Sequence, residues 1–377
     1  MNLRRFWAVA RKESIHIRRD PRSLGLAVGI PMLMLVMFGY ALTLDVNQVP
    51  FVVWDQSNSV ESRDFVARFT ATPYFNLRGT VSNYSELEHE IDMRDAWLGL
   101  ILPPDFAAHI TSGRSVPVQA IVDGSDSNTA SIVLGYAQGI TAAHNQQITL
   151  EQIRRLTGAT ATPGLDLRAR IWFNPDLESK NFIVPGIMAV IMGLIAALLT
   201  SLTVAREWER GTMEQLISTP LKPAELILGK LLPYSAIGLA NLVIAVLMAV
   251  FVFNVPLRGS VPLLFGIGGI FIVATLAQGI LISAVARQQL MASQLAMIST
   301  FLPAFLLSGF TFAIANMPVV IRGLTHIIPA RYFVAVVKGI FLRGVGLEVL
   351  WPEALFLLGF AIVVLTVAIR RTPKRLA

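Results

Sequence analysis

The sequence predicts a membrane all-α bundle of about six transmembrane helices, with a mixed α/β extracytoplasmic domain inserted between the first two. Only 15% of the 377 residues are charged and 54% are hydrophobic, whereas an average soluble domain carries about 25% charged residues. Six apolar runs are long enough to cross a bilayer, which takes roughly 20 residues per helix. Residues 45–180, in contrast, have the composition of a water-soluble domain.

The six apolar runs contain no Asp, Glu, Lys or Arg. They cover residues 24–44, 182–204, 231–253, 261–286, 294–315 and 354–369. The first run could also be the apolar part of a cleaved signal peptide, with Gly39-Tyr40-Ala41 as the signal-peptidase site. Its length and the helical pattern of the residues before it favour a transmembrane helix.

Charge at the ends of the runs predicts their orientation. Seven Lys or Arg residues precede the first run, and four lie in the tail that begins at residue 370. Lys and Arg concentrate on the cytoplasmic side of membranes, so an even number of spans places both termini in the cytoplasm. The segment 45–180, with 16 acidic and 10 basic residues, then lies outside. Because the basic residues flank the spans, we expect no nucleic-acid surface.

These assignments divide the chain into nine segments. They are an amphipathic helix (1–23), the first span (24–44), the extracytoplasmic domain (45–180), the second span (181–204), a cytoplasmic helix (205–230), spans three to five (231–315), an outer re-entrant segment (316–347), the sixth span (348–369) and a cytoplasmic tail (370–377). Short apolar runs in the extracytoplasmic domain predict strands at 49–54, 97–102 and 116–122. Helical patterns lie near 60–69, 85–93 and 125–157.

Within the spans, polar side chains are few and neutral. The candidates for lining a pore are Asn241, Thr275, Gln278, Ser299 and Ser308. For each of them a hydrogen bond between helices is the alternative role. Ion-driven transporters place ionisable residues at membrane depth, and these runs have none. If the protein transports actively, its energy therefore enters from outside the spans.

The cytoplasmic segment 205–230 has four acidic and four basic residues. A helix there places Glu207, Arg210 and Glu214 on neighbouring turns, and Gly211 with Thr212 permits a bend. Pro220 and Pro223 end this short, charged helix before the third span. Such a helix suits docking to a cytoplasmic partner, and a solvated loop helix is the alternative.

Over nearly the whole chain the sequence resembles the permeases of type-2 ABC transporters, in the bacterial subgroup of drug and multidrug exporters with a large extracytoplasmic domain. After the second span that family has the pattern E-x-E-x-G-T-x-E-x-L, and residues 207–216, EWERGTMEQL, match it completely. The other similar stretches are RKE at 11–13, RRDP at 18–21, MP at 317–318 and IPARYF at 328–333. The resemblance implies a type-2 ABC exporter-like fold.

The resemblance also implies roles for individual residues. The coupling helix, which sits in a cleft of a separate ABC ATPase subunit, would comprise Arg206, Glu207, Glu209, Arg210, Gly211, Thr212 and Glu214. The amphipathic helix before the first span would include Lys12, Glu13, Arg19 and Asp20. ATP and Mg would be bound by the partner, and this chain would hold no metal or cofactor. Consistent with that, the sequence has no G-x-x-x-x-G-K-[ST] loop.

We therefore expect a permease subunit of the bacterial inner membrane, not itself an enzyme, that moves a drug-like, lipidic or other amphipathic substrate out of the cytoplasm or inner leaflet. A second permease copy, identical or paralogous, would complete the pore. The extracytoplasmic domain would gate, select substrate or dock a periplasmic adaptor. Two alternatives remain open: a membrane-anchored receptor or scaffold, and an ion-coupled secondary transporter.

Overall fold

The computed structural model describes residues 2–41, 46–157, 172–174 and 178–372. Two compact units are present. The membrane unit comprises Met1–Thr43 and Ile171–Ala377, and the inserted unit is Leu44–Arg170. The inserted unit thus ends ten residues before the boundary expected at 180. The end of the first predicted span and most of the predicted tail lie outside the described residues.

Two helices open the chain, α1 (Leu3–Arg19) and α2 (Pro21–Ala41). The Asn2 side chain caps α1 by accepting a hydrogen bond from the Arg4 backbone N–H at 3.1 Å. One face of α1 is buried and includes Val9, while Leu3 and Trp7 on another face are exposed. An exposed face that combines apolar and basic residues suits a helix lying in a membrane interface.

The inserted unit is a four-stranded sheet with helices. Its elements are β1 (Val49–Asp55), α3 (Val60–Thr70), β2 (Phe75–Thr80), α4 (Tyr84–Asp92), β3 (Leu98–Leu102), α5 (Phe106–Ser112), β4 (Gln119–Val122) and α6 (Ser127–Thr157). The strand order is β2-β1-β3-β4. Strand β1 runs parallel to β2 and β3, and β4 is antiparallel to β3. All five residues of β3 are buried, as expected for an inner strand covered on both faces.

Sequence patterns missed two of these elements. Strand β2 lies at the sheet edge and buries only Phe75, so its apolar alternation is weak. Helix α5 has seven residues, which is too few for a helical period to emerge. Both elements form because they pack against neighbours that were predicted.

The rest of the membrane unit is helical. Its helices are α7 (Ser179–Glu209), α8 (Thr212–Ser218), α9 (Pro223–Leu247), α10 (Val261–Ala286), α11 (Gln289–Ala296), α12 (Leu302–Leu307), α13 (Val319–Thr325), α14 (Pro329–Lys338) and α15 (Leu347–Arg371). Short π-helical turns extend three of them, at Met248–Val252, Met297–Phe301 and Gly339–Arg343. Within the described residues six helical segments are long and apolar enough to cross a membrane, which confirms the expected number. The fifth, Gln289–Leu307, starts five and ends eight residues earlier than expected.

Segment 316–347 is sharply bent. Helices α13 and α14 with its π-helical extension meet at a bend of 81°, and they would add a seventh span if counted together. Helix α14 is not confined to the surface, because Phe333 is fully buried and stacks on Phe271 with ring centroids 4.2 Å apart. Lys338, at the end of α14, places its Nζ 3.4 Å from the centroid of the Phe182 ring.

Helix α7 is the centre of the bundle. In its most apolar stretch of 18 residues 83% is buried, whereas the corresponding stretches of α2 and α15 are each 17% buried. It packs closely on α10 through polar atoms. The Thr200 Oγ1 donates to the Leu276 carbonyl at 2.8 Å, and Ser283 Oγ accepts from the Ala205 backbone N–H at 2.9 Å. At the crossing, Gly279 lies against Thr200 and the Ala197 carbonyl, leaving no space for a β-carbon.

Replacing Gly279 with Ala is expected to destabilise the bundle by about 1–3 kcal/mol, the usual effect of overpacking. The added methyl group would overlap the α7 backbone, which cannot move as a flexible side chain can. Gly266→Ala on the same helix is the control, because nothing lies within 4 Å of its added carbon. Unfolding in mixed detergent micelles measures both, and equal stability of the two variants would contradict the packing described.

Candidate functional site

The charged segment 205–230 contains the end of α7, all of α8 and the start of α9, not one bent helix. Helix α7 extends to Glu209, Arg210 caps its end, and Gly211 adopts a left-handed conformation with φ of +68°. A left-handed residue ends a helix, and glycine takes that conformation without steric strain. Helix α8 then begins at Thr212. The expected bend at Gly211 is therefore a complete break between helices.

Four charged side chains from three helices meet where α7 ends. The Lys230 Nζ on α9 is 2.8 Å from Glu13 Oε1 on α1 and 3.0 Å from Glu207 Oε1 on α7. The Lys12 Nζ is 2.9 Å from the same Glu207 oxygen. We call these four residues the charge cluster. It joins α1, α7 and α9 at one point.

Three of the four side chains in the charge cluster are almost completely buried. The side chains of Lys230, Glu13 and Glu207 are 1%, 5% and 9% exposed. Burial alone would raise the pKa of Glu13, but the positive charge and hydrogen bond of Lys230, with help from Lys12, hold that pKa below its ordinary value. Such a cluster specifies how the helices fit together more than it stabilises them, because desolvation offsets much of the attraction.

Glu207, which was expected to take part in docking, is buried in this chain. Its side chain points into the charge cluster, and among the described residues its Oε2 has no hydrogen-bond partner. A role for Glu207 in coupling stays a prediction, and it would act through the helices that the cluster joins. Lys230 was not among the predicted site residues. Its signal in the sequence is a lone charge directly before an apolar run.

A second set of contacts ties the end of α7 to the start of α11. Glu209 accepts hydrogen bonds from the backbone N–H of Gln289, at 2.7 Å, and from its side chain. Arg206 donates from Nε to Gln289 Oε1 at 3.2 Å. Arg287, in the turn between α10 and α11, stacks its guanidinium 4.7 Å from the centroid of the Trp208 ring. Gln289 was likewise missed, since a neutral side chain gives no sign of a partner 80 residues away.

Around the break at Gly211, one side of the chain is apolar and packs against the bundle, and the other side is exposed to solvent. Met213 is buried in a small cluster with Val9 and Leu226, which seats α8 on α1 and α9. Arg210 and Glu214 are exposed, and so is Gln215. We call residues 209–215 the exposed turn. It presents charge to solvent from a backbone that is held on its inner side.

The other predicted residues of the N-terminal helix, Arg19 and Asp20, lie at the end of α1. Arg19 is exposed and lies in the last turn of α1, where the helix dipole favours a positive charge. Asp20 caps α1 and lines a small cavity with His16 and Arg206. Arg206 Nη1 is 3.0 Å from the His16 ring nitrogen Nε2. The N-terminal helix thus meets the end of α7 at two places.

Three of the five polar residues proposed to line a pore surround one cavity of about 260 Å³. These are Thr275, Gln278 and Ser299. Gln278 donates to Thr300 Oγ1 at 3.3 Å, while its buried Oε1 has no hydrogen-bond partner among the described residues. Ser299 and Thr300 belong to the π-helical turn Met297–Phe301, a distortion that is frequent at functional sites.

The other two candidates lie elsewhere. Asn241 on α9 donates to the Ala27 carbonyl on α2 at 3.0 Å, so it joins two helices. The Ser308 Oγ accepts from the Phe310 backbone N–H at 3.3 Å and thereby shapes a turn. The structure does not bring either residue to the cavity around Gln278.

Comparison with known proteins identifies the chain. The family model described as ABC-2 family transporter protein matches residues 21–370. The chain belongs to this family. It is 41% identical to the probable multidrug ABC transporter permease YbhS of Escherichia coli strain K12, in an alignment that covers 100% of this chain and 98% of YbhS. It is 30% identical to the probable multidrug ABC transporter permease YbhR of the same strain, over 92% of each chain.

A third relative is the inner membrane transport permease YhhJ of E. coli, which is 28% identical over 91% of this chain and 92% of its own. The chain is thus the transmembrane permease subunit of an ABC exporter, an integral protein that crosses the membrane several times.

Replacing Lys230 of this ABC-2 permease with Met is expected to lower the free energy of unfolding by about 3–5 kcal/mol, because Glu13 and Glu207 are left buried with Lys12 alone. Unfolding in mixed micelles measures the loss, and Arg11→Met, on the exposed face of α1, is the control. Adding Glu13→Gln and Glu207→Gln should recover part of the loss. If Lys230→Met were as stable as the control, the charge cluster would not hold the helices.

Proposed function

We propose that this permease exports a drug-like or lipidic amphipathic substrate, driven by ATP hydrolysis on a separate ABC ATPase that binds the exposed turn and α8. The observation that carries the proposal is the placement of the exposed turn. It contains the helix break at Gly211 and lies directly beyond the charge cluster that joins α1, α7 and α9. A partner pushing on the turn would act on the best buried helix of the bundle.

Charge supports a cytoplasmic location of the exposed turn and of both termini. The basic residues of α1 lie at the same end of the bundle as Arg206 and Arg287, because they share contacts with α7. Thr372, at the end of α15, borders a pocket with Met213 of α8. Lys and Arg gathered at one membrane side mark the cytoplasmic side.

The charge cluster supports movement of the helices as one body. Separating α1 from α7 would leave Lys230 or a carboxylate buried without its partner, which costs several kcal/mol. A displacement of the exposed turn is therefore transmitted to α1 and α9 together. Rigid-body shifts of this kind are a common form of switching in proteins.

The neutral cavity supports an amphipathic substrate. Its walls combine apolar side chains such as Phe271 and Phe360 with the unpaired amide oxygen of Gln278, a composition typical of small-molecule sites. Two relatives carry the word multidrug in their names. Ile298, next to the cavity-lining Ser299, is 62% exposed, so a second permease copy against this helix would border the cavity.

The deciding experiment is purification of the permease after co-expression with the ABC ATPases of its source genome. We expect one ATPase to remain bound and to hydrolyse ATP in a vanadate-sensitive manner, with substrate transport into inverted vesicles that stops when ATP is removed. If no ATPase associates, or if transport follows an ion gradient without ATP, the proposal is wrong.

Glu214→Lys is expected to abolish ATPase binding. Because Glu214 is exposed on α8, the free energy of unfolding should change by no more than about 0.5 kcal/mol, as for most surface substitutions. Glu88→Lys, an exposed acidic residue on α4 of the inserted unit, makes the same charge change and should leave binding intact. Retention of the ATPase by Glu214→Lys would remove α8 from the docking site.

Gln278→Leu is expected to reduce transport of polar amphipathic drugs by about tenfold, because it removes the amide that the cavity presents; a lost hydrogen bond of about 1.4 kcal/mol gives that factor. Gln294→Leu changes an exposed glutamine of α11 and serves as the control. ATP hydrolysis should persist in both variants. Equal transport by the two would place the substrate elsewhere.

A further inference from the structure

The inserted unit contains a cleft that the proposed export function does not use. It lies among α3, α5 and α6 and has a volume of about 210 Å³. Its apolar wall includes Phe106, Ile110 and Ile148. A dry cavity of about 150 Å³ holds benzene, so this cleft has room for a phenyl-sized group with a short polar chain.

Carboxylates dominate the polar wall of the cleft. Glu61 and Asp64 on α3 and Glu151 on α6 line it, and Arg68, the one guanidinium among the described lining residues, is engaged with Asp64 at 3.2 Å. Burial holds the pKa of His144 below its ordinary value, although Asp64 opposes this, so its imidazole is neutral at neutral pH. Among the described residues of the lining, three negative charges and one positive charge then face the cleft.

His144 provides an independent sign of a ligand. Its side chain is only 10% exposed and lines the cleft, yet among the described residues its Nδ1 has no hydrogen-bond partner. Asp64 Oδ2 is 4.0 Å away, too far for a hydrogen bond. Buried polar atoms are normally paired, so the described residues alone leave the wall of the cleft incomplete at His144.

We propose that this cleft binds a protonated primary amine that carries a compact apolar group. The ammonium would lie among the carboxylates of Asp64, Glu61 and Glu151, and the apolar group would lie against Phe106 and Ile148. A divalent metal ion fits less well, because the described residues contain no group of three or more His, Asp or Glu side chains close enough to coordinate one. Binding here requires neither an ATPase nor transport.

The test uses the full chain in phosphatidylcholine nanodiscs at neutral pH, with 2-(4-fluorophenyl)ethylammonium followed by fluorine NMR and empty nanodiscs as the blank. We expect saturable binding above the blank. The neutral analogue 2-(4-fluorophenyl)ethanol should bind at least about tenfold more weakly, since it lacks the charge that the carboxylates attract. This comparison needs no variant, so it does not depend on how substitutions affect folding.

Two double variants then locate the site. Asp64→Asn with Glu151→Gln should raise the Kd for the ammonium by about tenfold, a few-fold for each partly exposed carboxylate. Glu88→Gln with Asp92→Asn removes the same charge from exposed positions of α4 and should leave the Kd unchanged. The proposal fails if binding is not saturable above the blank, if the alcohol binds as tightly as the ammonium, or if the α4 variant loses as much affinity.

Discussion

The buried pairing of Lys230 with Glu13 and Glu207 is the constraint on which the membrane unit depends. It lies where α1, α7 and α9 converge, with both carboxylate contacts at 3.0 Å or less. Because a buried charge without its partner is costly, these helices have one arrangement in which all the charges are paired. The position of the exposed turn follows from this, since it begins at the last residues of α7 and is seated by Met213 on α1 and α9.

Under the proposed function, energy input at the exposed turn and substrate contact at the cavity are separated in this permease. The charges gather at the ends of helices, whereas the cavity around Gln278 is neutral and bounded by apolar rings. Helix α7 connects the two regions, because its end carries Glu207 while Gly193 in its middle borders the cavity. A motion imposed at the exposed turn can reach the cavity along one continuous helix, without any charge crossing the membrane interior.

Much of the fold could be predicted from local sequence. The six spans follow from apolar run length, and the strands β1, β3 and β4 from short apolar runs, because those patterns report how each residue meets water or lipid. The family pattern at residues 207–216 correctly indicated an ABC permease. Strand β2 and helix α5 were missed because their stability comes from neighbours and not from their own periodicity. The single helix expected across Gly211 was wrong because the left-handed break is a property of one residue in its tertiary setting.

The sequence by itself determined that six runs are long and apolar enough to cross the membrane and that they carry no charge in their central parts, since transfer into lipid depends on length and composition. Only the tertiary structure decided that Glu207 faces inward to Lys230 and Glu13, that Thr275, Gln278 and Ser299 share a cavity, and that Asn241 does not. Those outcomes depend on helix packing between residues as far apart as 217 positions. A side chain's pattern of neighbours in sequence carries no record of such distant contacts.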